Sequence, residues 1–309
     1  MTPPISLLPP LHFRWLGQIE MRLGSTPGNA PVKVAKPSRK ADALLAYLAL
    51  NPNITHDRSK LMDMFCFKVR DPAGDLRGIL KRAREMVGKG ATEQYYTIPN
   101  VNGDNAVRFE PTPLLHIDVV EFRRPFAPSA SIDDLVNRIK LYCGPFMPGY
   151  EGLDSVGWLE QTRAGLESQF GMLIKRLLDM LYNAERWEDV TTWAEHWITC
   201  SGWRPDAYRD LSLAYSELGD LSGLEDAYKR YAASQHDLDM ALPEETQREY
   251  IFRRKAITEN LGKPRPARRE LRPKTQAAPA QPIKTSRATQ AQATQAAARA
   301  NHLVYWPHE

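Results

Sequence analysis

The sequence predicts a mainly α protein with a small N-terminal β-sheet, then three helices and a β-hairpin, an all-helical second half and a disordered tail. Short strand-like runs and turn residues occupy the N-terminal region. Helical periodicity with few turn residues begins at Ile132 and continues to Leu261, beyond which Pro, Ala, Gln and Arg dominate. We therefore expect domains at 13–125 and 126–262, followed by a disordered basic tail at 263–309.

The first elements are a short sheet and two helices. The run FRWLGQIEMRL from Phe13 is rich in strand formers, STPGNAP makes a turn, and VKVA adds a strand. The run SRKADALLAYLAL carries a broad apolar stripe and stops at Asn51-Pro52, which indicates a core helix. Thr55 and Asp57 then supply the start of a second helix, RSKLMDMFC.

A third helix and a hairpin complete the first half. Asp71-Pro72 suits a helix start, and Gly88 is well placed to end that helix. The runs QYYTIP and AVRFEP flank the turn-rich NVNGDN, which predicts a hairpin with about five residues in each strand. Three helices and then a hairpin, behind an N-terminal sheet, is the order of a winged helix.

The second half is predicted to be all helical. The segments IDDLVNRIKLYCGPF and Val156 to Tyr182 show helical periodicity. A shift of 34 residues aligns Trp187 with Leu221, and this period is typical of tetratricopeptide repeats. The alternative is an unrelated helical bundle.

Charge is distributed unevenly although the net charge is only +4. Residues 1–125 carry 18 Lys/Arg and 12 Asp/Glu, residues 126–262 carry 14 and 23, and residues 263–309 carry 9 and 2. A basic first domain followed by an acidic second one indicates that the first meets a polyanion while the second faces another kind of partner.

The stretch DLRGILKRAREMVG, residues 75–88, is the strongest candidate for contact with a polyanion. One face carries the apolar stripe Leu76, Ile79, Leu80, Ala83 and Val87. The other face carries the basic residues Arg77, Lys81, Arg82 and Arg84. Glu85 is the only nearby acid after Asp75, so the positive charge on this face is concentrated and not balanced, and the pattern favours a helix that reads the DNA major groove. A solvated basic helix is the alternative.

Four residues outside this helix are candidates for supporting DNA contacts. Arg58 and Lys60 lie on the second predicted helix and Arg108 lies on the hairpin. Asn102 is placed at the hairpin tip, where it could reach a phosphate or the minor groove. Taken singly, each of these residues is equally compatible with plain surface.

Several segments together resemble bacterial transcriptional activators of the antibiotic-regulatory (SARP) type. The matching pieces of the first half are WLGQIEMRL, KADALLAYLAL, DLRGILKRAREMVG and IDVVEF. In the second half, LYCGPFMPGY followed by WLEQTR is similar to that family's conserved pattern. The resemblance covers residues 13–258 and rests on the order and spacing of these pieces.

The resemblance implies a winged-helix DNA-binding domain joined to a tetratricopeptide-like activator domain. It places Arg77, Lys81, Arg82 and Arg84 on the DNA-reading helix. It also implies a homodimer that binds direct repeats in promoter DNA and contacts RNA polymerase. Asp75, where an uncharged polar residue is more usual, and Gly78 depart from the family pattern.

Other classes of protein are poorly supported by the sequence. No histidine lies beside a Ser or Cys in a nucleophile elbow, so we expect no enzymatic activity and no cofactor. The three cysteines are far apart, which predicts reduced, mostly buried thiols and no metal site. No apolar run is long enough to cross a bilayer, and we expect a cytoplasmic, nucleoid-associated protein.

The leading hypothesis is a sequence-specific DNA-binding transcriptional regulator that activates promoters. One alternative is a tetratricopeptide-type protein–protein adaptor whose winged-helix module no longer reads DNA, which Asp75 and Gly78 would favour. A further alternative is general nucleic-acid binding by the tail at 263–309.

Overall fold

The computed structural model describes residues 10–24, 32–33, 38–87, 98–202 and 204–260. The strands are β1 (Leu11–Arg14), β2 (Glu20–Leu23), β3 (Val32–Lys33), β4 (Thr55–Asp57), β5 (Asn100–Val101), β6 (Ala106–Arg108) and β7 (Leu115–Ile117). The helices are α1 (Arg39–Leu50), α2 (Arg58–Phe65), α3 (Pro72–Met86), α4 (Asp118–Arg123), α5 (Ile132–Ile139), α6 (Trp158–Asn183), α7 (Trp187–Ser201), α8 (Pro205–Leu218), α9 (Leu221–Asp237) and α10 (Glu244–Asn260). The predicted mainly α class, with a small N-terminal sheet and a helical second half, is confirmed. Gly88 and the predicted tail lie outside the described residues.

The N-terminal sheet has the strand order β3-β2-β1-β7. Strands β1 and β2 form an antiparallel pair, whereas β7 joins the free edge of β1 in parallel. Side chains alternate along β1, so Leu11 and Phe13 are buried while His12 and Arg14 face outward. Strand β1 thus turns its apolar residues toward the core.

Three helices and a second sheet follow in the predicted order. The second sheet has the order β4-β6-β5, and β5 with β6 forms the predicted hairpin. Its strands are shorter than predicted, and residues 94–97 of the first predicted strand lie outside the described part. Asp57 directly precedes α2, as the predicted helix start requires. Strand β4 itself was not predicted, since Thr55 to Asp57 also pair with β6.

The first and second halves share one hydrophobic core in the described part of the chain. The Asp118 carboxylate at the start of α4 accepts hydrogen bonds from the backbone N–H groups of Trp15 and Leu16. Leu16 forms an isolated bridge with Phe146, and the N–H of Met147 donates to the carbonyl of Trp15 at 2.8 Å. Packing is continuous across residues 125 and 126. The domain boundary expected there stays a prediction.

Helix α5 is shorter than predicted. Ser131 and Asp134 form a capping box at its start, as the Ser-x-x-Asp sequence favours. The prediction that helix continues through Phe146 is wrong, because Gly144 has a φ of 149° and Pro145 cannot donate a helical hydrogen bond. Here the chain passes so close to Gly17 that a Cβ on this glycine would lie 2.5 Å from the carbonyl carbon of Cys143.

Helices α6 to α10 pack in sequence, each against its neighbours. Helices α7 and α9 begin 34 residues apart, as the sequence shift predicts. Two ion pairs join helices that are two apart in the chain: Lys175–Asp210 between α6 and α8, and Arg230–Glu195 between α7 and α9. These cross-links support a repeating arrangement, and the tetratricopeptide assignment itself stays a prediction.

The three thiols are free, as expected, but they differ in burial. Cys66 is buried, Cys200 is half-buried and Cys143 is exposed, so the prediction that the thiols are mostly buried is wrong for Cys143. Burial raises the pKa of both Cys66 and Cys200 to about 11. Among the described helices, none has the length and apolar character needed to cross a membrane.

Candidate nucleic-acid interface

Helix α3 is anchored by its first turn and by its apolar face. The Asp71 carboxylate caps the helix by accepting from the Gly74 N–H at 2.9 Å, and Pro72 occupies the first turn, as predicted. The predicted core stripe is buried in full: Leu76, Ile79, Leu80, Ala83 and Val87. The orientation of the opposite face is therefore fixed by packing.

The outward face of α3 presents three exposed basic residues, Arg77, Lys81 and Arg82. Among the described residues, none of the three forms an ion pair with a carboxylate, although such pairs are frequent elsewhere in the chain. Glu85 is exposed one turn farther along. This face therefore carries concentrated positive charge that is open to solvent.

Asp75 does not oppose this charge from the same face. Its carboxylate accepts a hydrogen bond from the Lys40 ammonium of α1 at 2.7 Å, and the pair is partly buried. The charge of Asp75 is thus neutralised by Lys40 of α1. This ion pair joins two helices and leaves the outward face of α3 to the basic residues.

Arg84 and Arg58 are placed differently from the three exposed basic residues. Arg84 donates through Nε to the carbonyl of Ile98 at 3.0 Å and through Nη2 to the Asn100 side-chain oxygen. Arg58 donates through Nη2 to that same oxygen at 3.0 Å. Two predicted DNA-binding residues therefore converge on the base of the hairpin.

The remaining predicted site residues lie at the hairpin and on α2. Arg108 forms an ion pair with Glu110. Its positive charge is therefore largely neutralised within the protein. Asn102 is exposed at the first position of the hairpin turn with a φ of 54°, and Lys60 is exposed on α2. Arg58 and Arg77 both line an open cleft of about 510 Å³ between α2, α3 and the hairpin turn.

Sequence reasoning missed Asn100. The residue lies at the start of β5, opposite Val107 in the hairpin register, and Val107 lies opposite His56 of β4. Asn100 thus stands at the edge of the β4-β6-β5 sheet, within reach of α2 and α3. No spacing rule links it to Arg58 or Arg84, which are 42 and 16 residues away. Only its place as the first residue of the turn-rich NVNGDN could have drawn attention to it.

The helical half contains a separate groove of about 260 Å³ between α8, α9 and α10. Its walls are rich in tyrosine: Tyr208, Tyr228, Tyr231 and Tyr250. Rings of Tyr228 and Tyr250 stack at a centroid distance of 4.0 Å. Among the described residues, no group of three His, Cys, Asp or Glu side chains is arranged to hold a metal ion.

Residues 123–250 match the bacterial transcriptional activator domain. The match runs from the last residue of α4 into α10, so it covers the helical half. No curated protein matches the chain significantly. The domain points to a family of bacterial transcriptional activators, which confirms part of the resemblance drawn from the sequence. The part of the chain that we predict to be a winged helix lies outside the matched residues.

Proposed function

We propose that this protein is a sequence-specific DNA-binding transcriptional regulator that acts as an activator and has no enzymatic activity. The observation that carries the proposal is the outward face of α3, where Arg77, Lys81 and Arg82 are exposed and, in the described part of the chain, free of carboxylate partners. A basic face anchored by a buried stripe supports binding to a polyanion. The activator domain at residues 123–250 supports promoter DNA as that polyanion.

In the proposed complex, α3 lies in the major groove with its buried stripe against α1 and α2. An arginine there can donate two hydrogen bonds to O6 and N7 of one guanine, whereas a lysine contacts phosphates as a point charge. We therefore assign sequence reading chiefly to Arg77 and Arg82, and phosphate binding to Lys81. Lys60 and Asn102 are assigned to the flanking backbone.

We extend the proposal to partners through the family of the matched domain. A homodimer on direct repeats would place two α3 helices along one face of the duplex. The helical half, with 14 Lys/Arg against 23 Asp/Glu in residues 126–262, repels DNA and suits contact with protein, for which RNA polymerase is our candidate. The proposed site of action is the cytoplasm, on the nucleoid.

The direct test is a double substitution, Arg77→Ala with Lys81→Ala. Duplexes selected from a random pool by the full-length protein serve as the probe. Removing two cations from the interface should weaken binding at least about 30-fold, since each base or phosphate contact contributes about 1–3 kcal/mol. It should also reduce the slope of log affinity against log salt by one to two.

The matched control is Lys229→Ala with Lys255→Ala, which removes two exposed cations from α9 and α10. This variant should bind the selected duplex within about twofold of the parent protein, because its lost charges lie outside the interface. Equal affinity of both double variants would contradict the assignment of α3. The helical circular dichroism of all three proteins should be the same.

The adaptor function is the second candidate, and the tyrosine-lined groove is the observation that favours it. One possible outcome is that the protein selects no duplex above background and yet captures protein partners in complexes that resist nuclease. That outcome would favour the adaptor function over DNA binding. Substitution of Tyr250 in the stacked pair should then reduce capture. Loss of duplex binding in the Arg77/Lys81 variant without loss of capture would separate the two functions.

A further inference from the structure

We propose that Asn100 is a positioning residue that holds Arg58 and Arg84 side by side as a binding site for one phosphodiester group of duplex DNA. The proposal rests on the proposed function and assigns to this site a ligand and a mechanism. The site lies where α2, α3 and the hairpin meet, and it is separate from the outward face of α3.

The geometry of this cluster is set by three elements. Arg58 follows β4 directly, and its backbone N–H donates to the Asn105 carbonyl in the hairpin turn at 3.0 Å. Its side chain extends across the β4-β6-β5 sheet to Asn100 of β5. Arg84, in the last turn of α3, reaches the same oxygen while its Nε is held by the Ile98 carbonyl.

The acceptor shared by the two guanidinium groups is neutral. An amide oxygen accepts both hydrogen bonds but removes neither charge, so two like charges remain close together. Elsewhere in the described chain, buried or half-buried arginines more often meet carboxylates, as Arg230 meets Glu195 and Arg163 meets Glu151 and Glu160. The nearby Arg108–Glu110 pair shows the alternative, a cation whose charge is cancelled.

Two adjacent arginines with uncancelled charge are suited to an anion that carries several acceptor oxygens. A guanidinium group has five N–H donors, and Asn100 and Ile98 use one on Arg58 and two on Arg84. The Arg58 Nε is buried without a hydrogen-bond partner in the described part, so it cannot serve a ligand. The Nη1 groups of both residues remain for a phosphate, which matches the planar fork of arginine.

The position of the cluster also fits a phosphate of the DNA backbone. Arg84 precedes the end of α3 by two residues, and Arg58 begins α2. In the proposed complex the base of the hairpin would therefore face the sugar–phosphate strand beside the major groove. Contacts of this kind fix the register of a protein on the duplex without reading its sequence.

The test replaces Asn100 by aspartate in the full-length protein. A carboxylate accepts the same two hydrogen bonds, and more strongly, so Asn100→Asp should have a thermal midpoint at or above that of the parent protein. It also cancels one positive charge at the phosphate site. We expect about tenfold weaker binding to the selected duplex and a salt slope smaller by about one.

The control is Asn137→Asp, which makes the same charge change at an exposed position of α5. It should bind the duplex within about twofold of the parent protein. A third variant, Asn100→Ala, keeps both cations and removes the acceptor. It should lower both the thermal midpoint and DNA affinity, since the guanidinium groups are no longer held in place.

The opposite effects of Asn100→Asp on stability and on DNA affinity are the signature of the proposal. A purely structural role for Asn100 would make stability and affinity change in the same direction in every variant. Equal DNA affinity of Asn100→Asp and Asn137→Asp would overturn the phosphate site. If the parent protein selects no duplex at all, the proposed function fails instead, and the two failures are therefore distinguishable.

Discussion

At the scale of single residues, Asp42 is the most unusual group in the described core. It is 1% exposed in the first turn of α1, and its carboxylate accepts a hydrogen bond from the Tyr150 hydroxyl at 2.8 Å. Burial raises the pKa of Asp42 to about 6, because the charged form loses its hydration. This hydrogen bond joins α1 to the segment between α5 and α6 inside a mainly apolar core.

Replacing Asp42 by asparagine should increase stability at neutral pH. A folded-state pKa of about 6 lies above the unfolded value of 3.8, so the protonated form favours folding. This contribution is complete below the unfolded pKa and is lost as pH rises through the folded one. Asparagine keeps an acceptor for Tyr150 without a charge. We expect Asp42→Asn to raise the free energy of unfolding by about 1–3 kcal/mol above pH 7.

Urea unfolding at several pH values measures this effect. Near pH 3.5 the gain from Asp42→Asn should disappear, because Asp42 is then protonated in the folded protein. The Asp118 carboxyl, whose pKa burial also raises to about 6, keeps part of the pH dependence in the variant. A constant difference between variant and parent at all pH values would contradict the assignment to Asp42.

Residue environments were only partly predictable from the sequence. Helical periodicity correctly placed the buried stripe of α3 and its exposed Arg77, Lys81 and Arg82. It could not show that Arg84 is engaged by the hairpin, because its partner Asn100 belongs to another element. Spacing rules describe neighbours on one helix, whereas contacts between elements depend on the tertiary fold.

At the scale of elements, α3 contains two glycines in very different surroundings. A Cβ added at Gly78 would meet no atom within 4 Å among the described residues, whereas one at Gly74 would lie 2.1 Å from the Asp71 carboxylate. Gly78 is exposed in the middle of the helix, and Gly74 donates the hydrogen bond that caps it. The same substitution should therefore have different outcomes one turn apart.

Gly78→Ala should raise the free energy of unfolding by roughly 0.5–1 kcal/mol, the helix-propensity difference between glycine and alanine. Gly74→Ala should give no gain or a loss. The added methyl group displaces the Asp71 carboxylate from its capping position, and a lost cap costs about 1 kcal/mol. Thermal unfolding of both variants provides the comparison. Equal gains would show that the Asp71 cap does not contribute to stability.

The elements themselves were predicted unevenly. Long amphipathic helices such as α6 were found close to their observed bounds, because many turns repeat the same signal. Strand β4 was missed because three residues before a helix resemble a cap, and only pairing with β6 makes them a strand. Helix α5 was predicted too long because the apolar residues after Ile139 enter the core without helical geometry.

At the scale of the whole molecule, the two predicted domains are tied together by aromatic and polar contacts. Trp158 of α6 packs edge-on against Tyr47 of α1 at a centroid distance of 5.3 Å. The Arg163 guanidinium of α6 donates to the carbonyls of Phe146 and Met147, whose segment pairs with Leu16. Removing the helical half would expose the apolar faces that α6 now covers.

We expect the described part of the 309-residue chain to unfold in one cooperative transition. Tryptophan fluorescence and far-UV circular dichroism should give the same urea midpoint, since one core couples both halves. A fragment of residues 1–125 should be less stable than the full chain by several kcal/mol, because it loses the cover of α6. Two separate transitions, or a fragment as stable as the whole, would favour independent domains.

The parallel pairing of β1 with β7 has a consequence for biosynthesis. Leu11 pairs with Leu115, and the Trp15 carbonyl accepts a hydrogen bond from the N–H of Met147. A nascent polypeptide can close the β1–β2 hairpin early, but the other edge of β1 stays open until β7 has left the ribosome, and the Trp15 carbonyl stays unbonded until Met147 has followed. Contacts so distant along the chain form slowly. Strand β1 is therefore translated well before the segments that complete its environment.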